Sequence, residues 1–214
     1  MRRTDLLFDK PRTIRDLERS RKNLVCKIGF NDADYVISAK YRGARVQCPY
    51  YARWSQMLNR ATHSRWSGTA VTTRWLRFSN FRSWMDSQKW ENRELDKDLI
   101  SLGNTIYSPW NCLFISHYAN KLLPNKLLRR IPDSSGRLPG TYPLKSGNWR
   151  ALGGSSCEIR SPVHFKTSAE ASSFFSRQKA RHIRSLFPKF EGEDPRLIPA
   201  LERACLFLET PVNI

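Results

Sequence analysis

The sequence predicts an α+β fold on three observations. Hydrophobic residues make up 40% of the 214-residue chain and aromatics 12%, enough for a core and too much for wholesale disorder. Two stretches, within 48–90 and 167–187, space their apolar residues by three and four, the helical period. Short apolar runs bounded by Gly, Pro, Asn and Ser fill 27–47, 93–115 and 141–165, the pattern of short strands joined by turns.

Taken in order, residues 1–25 are charged of both signs and carry weak helical spacing at Ile14 and Leu17, a short helix or a basic arm. Asn31-Asp32 and Arg42-Gly43 are turn positions flanking the apolar runs 35–37 and 44–46. Cys48-Pro49-Tyr50-Tyr51 opens a helix with Tyr51, Trp54, Met57 and Leu58 on one face. A second amphipathic stretch carries Trp75, Phe78, Phe81, Trp84 and Met85. Aromatics bury large areas per residue, and these two stretches are expected to be core. Residues 93–123 read strand, loop, strand, helix, with an extended run over 94–100 and a second strand over 112–115. Pro109 is barred from ladder pairing. Ser116 is an N-cap for a helix from His117 to about Leu123. Residues 124–140, with Pro124, Pro132, Pro139 and Gly140, read as a linker. Three strands are expected at 141–144, 148–152 and 157–165. A helix follows that Thr167 and Glu170 open as a capping box, and Pro188 stops it. Pro195 starts a last helix carrying Ile198, Leu201, Ala204, Cys205 and Leu208.

Lys and Arg number 37 against 19 Asp and Glu, a formal charge of +18. Such a field favours polyanions, nucleic acid first. The charge is concentrated: residues 126–189 hold 13 basic and 3 acidic side chains, whereas 191–214 hold 2 and 5. No run approaches the ~18 apolar residues of a membrane helix, and no apolar stretch of signal-peptide length follows the N-terminal residues. The five cysteines are scattered without a CxxC pair, which excludes a disulfide framework or zinc ribbon and leads us to expect reduced thiols in a cytosol-like compartment.

The window from Leu95 to Asn120 reads L-D-K-D-L-I-S-L-G-N-T-I-Y-S-P-W-N-C-L-F-I-S-H-Y-A-N. An acidic residue on a strand, a Ser-Pro-x-Asn loop, a second strand and a helix carrying His and Asn early resemble the ββα-metal core of HNH endonucleases. With C-P-Y-Y-x-x-W-x-x-M-L-x-R and W-x-x-F-x-x-F-x-x-W-M upstream, the chain is similar over about residues 30–123 to the small HNH-type endonucleases of tailed bacteriophages. The resemblance implies hydrolysis of phosphodiester bonds with a divalent ion, Mg2+ or Mn2+, that neutralises charge growing on the phosphoryl and departing 3′ oxygens. A hard ion that keeps several waters needs few protein ligands. By resemblance Asp96 and Asn120 occupy the metal positions and Asn111 the loop-holding position. Lys97 stands where the family has its general-base His. A protonated lysine is a poor base and a better phosphate clamp. Water activation is left to His117, to Asp98 or to hydroxide near the metal, and alternation places Asp96 and Asp98 on one strand face, so that Asp98 is open as a ligand with Asp96 then structural.

Residues 137–187 resemble the AP2-type DNA-binding domain, a three-stranded sheet backed by one helix. Gly147-Asn148-Trp149-Arg150-Ala151 matches its second strand and Val163–Ala171 its third strand and helix start. A twisted sheet of this kind presents alternate side chains to the major groove. Lys145, Trp149, Arg150 and Arg160 are the candidates on or near that surface, with Trp149 open as core. Arg129 and Arg130 are placed to track the backbone from the linker. Arg177, Lys179, Arg181 and Arg184 on the backing helix reach flanking phosphates or form its solvated face. The expected layout is a basic arm with short strands at 1–47, an HNH-like domain at 48–125, a linker at 126–140 and an AP2-like domain with a C-terminal helix at 141–214. The resemblance implies a homing- or mobility-type DNA endonuclease acting on double-stranded DNA in the cytoplasm of a phage-infected bacterial cell, a monomer or weak dimer with no membrane partner. Two alternatives stay open: a DNA-binding protein with a degenerate, inactive core, and an RNA-binding basic protein.

Overall fold

In the computed structural model the protein is α+β, and the structure describes residues 8, 10–64, 68–123, 127–128, 130–151 and 163–212. The chain divides into two compact units, residues 1–90 with 105–112 and residues 91–104 with 113–214.

In the first unit α1 (Ile14–Lys22) is opened by a capping box in which Thr13 and Asp16 satisfy each other's free backbone N–H, and it buries none of its residues. β1 (Ser38–Tyr41) and β2 (Ala44–Gln47) form an antiparallel hairpin. Its turn is Arg42-Gly43, with φ of +49° and +81°, the left-handed pair that matches strand twist in two-residue hairpins. The strands begin after the apolar run at 35–37, where the backbone is spent on the N-terminal arm: Val36 N–H donates to Lys10 O at 2.9 Å and Asp34 O accepts from Arg12 N–H at 2.9 Å. α2 (Pro49–Thr62) buries Trp54, Met57 and Leu58 as its spacing predicts. The second aromatic stretch is split into a 3-10 turn at Thr73–Leu76 and α3 (Phe78–Asp86). Trp54 Nε1 donates to Trp75 O at 2.7 Å and its ring lies 5.4 Å from Phe78, so one core joins both stretches. β3 (Ala70–Val71) pairs in parallel with a short strand at Ile106–Tyr107 in what the sequence reads as loop.

In the second unit β4 (Arg93–Asp96) pairs antiparallel with β6 (Leu113–Ser116), where β5 is the Ile106–Tyr107 strand, and α4 (His117–Leu122) follows directly. The Ser116 hydroxyl caps α4 by accepting from Ala119 N–H at 3.2 Å. β7 (Thr141–Pro143), β8 (Trp149–Ala151) and β9 (His164–Phe165) form an antiparallel sheet in that order. α5 (Ser168–Ser185) starts at the Thr167–Glu170 capping box, and α6 (Leu197–Glu209) buries Leu201, Ala204, Cys205 and Leu208. Gly140 before β7 has a φ of +77°, and a Cβ there would stand 2.1 Å from Cδ1 of Phe175, so only glycine lets this turn close against α5.

The boundary expected at 126–140 is not where the chain divides. Leu113, Ile115, Ala119 and Leu122 of the strand–strand–helix region share one core with Ala180, Ile183, Leu201 and Cys205 of α5 and α6. The expected 48–125 domain is accordingly split, its aromatic helices in the first unit and β4, β6 and α4 in the second. The physical reason is burial: β6 is apolar on both faces and α4 has a single turn and a half, so neither closes a core alone. Cys26, Cys48, Cys112 and Cys205 are free thiols, and no helix among the described residues is long and apolar enough to cross a membrane.

Candidate functional site

β4 alternates its side chains, which sets Glu94 and Asp96 on one face. The register Glu94↔Ile115 and the immediate start of α4 after Ser116 bring the first turn of α4 beside Glu94. There Nδ1 of His117 lies 2.5 Å from Oε1 of Glu94, and Nδ2 of Asn120 donates to Oε2 of the same carboxylate. One glutamate thus bridges the two α4 residues singled out from sequence. The His117 side chain is 61% exposed and that of Glu94 38%, so the cluster is open to solvent. Glu94 is absent from the expected set, although its signal was present: it precedes Asp96 by two and so shares its strand face.

Asp96, expected as a metal ligand, is engaged by the backbone that follows it. Its Oδ1 accepts the backbone N–H of Asp98 at 3.0 Å and of Leu99 at 2.8 Å, which turns the chain and ends β4 at that residue. The alternation expected to align Asp96 with Asp98 therefore stops before Asp98. Burial pushes the Asp96 carboxyl up to about 6, helped by the Asp98 charge and opposed by the two backbone N–H donors and the Lys97 ammonium.

Lys97 and Asp98 are taken up by the loop that follows. The Lys97 ammonium donates to Asp98 Oδ1 at 2.5 Å and to Asn104 O at 3.3 Å, and Asn104 Nδ2 returns a bond to Lys97 O at 2.8 Å. Lys97 is 9% exposed, its ammonium turned into the loop with Asp98 as its counter-ion. Asn111 lies in the first unit, where its N–H donates to Ser108 Oγ at 3.1 Å and Cys112 N–H donates to Ser108 O at 3.0 Å, a closed turn.

A residue remote in sequence fixes the head of α4. Ser116 N–H donates to Oε2 of Glu193 at 3.0 Å, and Arg93 Nε stands 3.8 Å from the same oxygen. Nothing local in the sequence marks Glu193, which is 77 positions from Ser116.

The three-stranded sheet sorts the remaining candidates. Phe165 packs on Phe174 of α5 with ring centroids 5.3 Å apart, so the row Pro143–Trp149–Phe165 faces the helix. Trp149 is half-buried in that row, on the side of the core. The next row, Tyr142–Arg150–His164, points the other way. Tyr142 and His164 are exposed, and the Arg150 guanidinium lies 5.4 Å from the Tyr142 ring centroid. Lys145 is exposed on the turn after β7. Arg130 is a structural residue: its guanidinium donates to the carbonyls of Phe207 at 2.7 Å, Thr210 at 2.8 Å and Pro211 at 2.7 Å, closing the end of α6. Arg184 is held by Glu202 and Glu209, which raise its pKa, and Lys179 is buried, so neither belongs to a solvated basic face. Arg129 and Arg160 lie outside the described residues.

Glu94 and Asn120 carry oxygen donors, the ligand type a hard divalent ion takes. Asn120 spends its amino group on Glu94, and its carboxamide oxygen takes no hydrogen bond among the described residues. Among the described residues no group of three or more His, Cys, Asp or Glu is arranged as a metal centre. Two oxygen ligands with water completing the shell is the Mg2+ pattern. Comparison of the chain with protein-family models, curated proteins and solved structures finds no match.

Proposed function

We propose that the protein is a metal-dependent endonuclease of the HNH ββα type acting on double-stranded DNA. The observation that carries this reading is the Glu94 carboxylate bridging His117 and Asn120 across the β4–α4 junction. Glu94 and the Asn120 carboxamide oxygen would hold the Mg2+ or Mn2+ ion. When bound, such an ion offsets negative charge developing on the phosphate and the departing oxygen. Glu94 also orients the His117 ring through Nδ1, which leaves Nε2 to take a proton from the attacking water, the division of labour of a carboxylate–imidazole pair. Asp96 shapes the turn behind Glu94. Glu193 and the Ser116 hydroxyl set the start of α4 and hence where His117 and Asn120 stand.

The formal charge of +18 supports a polyanionic substrate. The outward row Tyr142–Arg150–His164 with Lys145 supports an AP2-like role for the small sheet, with the cations positioning the protein on the duplex. Incubation of the protein with supercoiled plasmid in Mg2+, in Mn2+ and in EDTA tests the reading. Nicking or linearisation with either ion, none in EDTA, and loss in Glu94→Ala, His117→Ala and Asn120→Ala are expected. Undiminished cutting by these variants would exclude the site. The second reading, a duplex-binding protein with a degenerate core, draws on one observation, that Lys97 is turned into the loop and leaves no base at that position. Duplex binding without cleavage in any divalent ion is its signature.

A further inference from the structure

Residues 35–90 of the first unit carry ten Lys and Arg against one acid, Asp86, an imbalance as steep as that of 126–189. Several of these cations are already engaged. Arg77 pairs with Asp32 at 3.2 Å, and Arg82 stacks on Tyr35 and Tyr50 with distances of 4.5 and 5.6 Å. The β1–β2 hairpin is different. Lys40 stands directly opposite Arg45 in the register, and like charges so placed destabilise a strand pair. Arg45 Nε donates to the neutral Ser38 Oγ at 2.7 Å, which holds the guanidinium on the Lys40 face. Arg42 extends the cationic surface at the turn, its guanidinium 5.4 Å from the Tyr41 ring centroid. All three are exposed, and none makes an ion pair within the described residues. The same face carries Ser38 and Gln47, whereas Ala39, Tyr41, Ala44 and Val46 alternate to the other.

We propose that this hairpin is a docking ribbon for the phosphate backbone of duplex DNA, contacted through Lys40, Arg42 and Arg45. An anionic partner removes the Lys40–Arg45 repulsion that the free protein carries. Two strands about 4.8 Å apart fit the roughly 12 Å major groove of B-form DNA, whereas the deep, narrow major groove of A-form RNA does not admit them. The proposal rests on duplex DNA being the partner, and it adds a contact element independent of the ββα site and the three-stranded sheet.

The test is fluorescence anisotropy of a labelled DNA duplex with the full chain, at a series of KCl concentrations, comparing the wild type with Lys40→Ala/Arg42→Ala/Arg45→Ala. The triple variant is expected to bind more weakly, with a plot of log affinity against log salt shallower by about 2–3, since each lost phosphate contact removes about 0.9. A wild type that binds duplex and a variant with the same slope would overturn the ribbon and leave the duplex partner standing. A wild type that binds no duplex overturns both. A slope reduced for RNA but not for DNA overturns the choice of partner. The single variant Lys40→Gln keeps folding in view: its melting temperature is expected to equal or exceed that of the wild type because a repulsion is removed, and a clear fall would make Lys40 structural and defeat the proposal.

Discussion

Nδ1 of His117 stands 2.5 Å from Oε1 of Glu94. This relationship couples β4 to the helix that follows its partner strand β6, 23 residues later, and it makes a sharp demand. Glu94→Gln keeps the shape of the side chain and removes its charge. Its effect on stability should be small because both partners are partly exposed. Plasmid cleavage is expected to fall by about 100-fold or more, the range of a lost acid–base function. An active Glu94→Gln enzyme would remove Glu94 from the chemistry.

Lys97 provides the contrast. Its ammonium is turned onto Asp98 and the Asn104 carbonyl, so Lys97→Ala is expected to destabilise the protein by about 1–3 kcal/mol in denaturant titrations, the cost of leaving a half-buried carboxylate and a carbonyl without their donor. Cleavage per folded molecule should be retained. Retained stability with lost cleavage would return Lys97 to the phosphate.

Asp96 predicts a pH dependence. Its carboxyl is raised from 3.8 to about 6 in the folded state, chiefly by burial. The folded chain therefore holds this proton more tightly than the unfolded chain. The penalty for ionising Asp96 is absent below about pH 4, grows between about pH 4 and 6, and is complete above that. Asp96→Asn keeps an oxygen for the N–H groups of Asp98 and Leu99 and removes the penalty. Above pH 7 and in EDTA it should be more stable than the wild type by about 1–2 kcal/mol after allowance for solvent screening. The advantage should vanish near pH 4. Thermal melts of both proteins across that range read the difference directly.

Arg130 is expected to matter for folding and not for nucleic acid. Its fork satisfies three carbonyls at the end of α6 and stacks on Phe207 at 4.6 Å. Arg130→Ala should cost about 2–3 kcal/mol, and Arg130→Lys most of that, since an ammonium lacks the planar fork. The salt dependence of duplex binding should not move. A shallower salt slope at unchanged stability would restore Arg130 as a backbone contact.

The sequence by itself determined the main helices and the β4, β6 and three-stranded-sheet regions in their order, but not the short parallel pair β3–β5. The period of three and four marked α2, the aromatic stretch and α6. The Ser116 cap and the Thr167–Glu170 box marked the starts of α4 and α5, because these signals are local and act through neighbouring backbone groups. Tertiary structure decided which side chains meet. That Glu94 receives Asn120 depends on the register Glu94↔Ile115 and on α4 starting directly after Ser116, whereas Asp96, opposite Leu113, turns its carboxylate onto two backbone N–H groups and ends β4. Arg130 turns from a linker cation into a helix clamp, and Glu193 holds the head of α4, through contacts that span 77 to 81 residues. The chain likewise divides around β4 and α4, not at the proline-rich segment, because the buried faces of β6 and α4 find their partners in α5 and α6. Composition and periodicity specify which faces must be buried, but the burial itself is non-directional, so only the folded chain selects the surfaces that cover them.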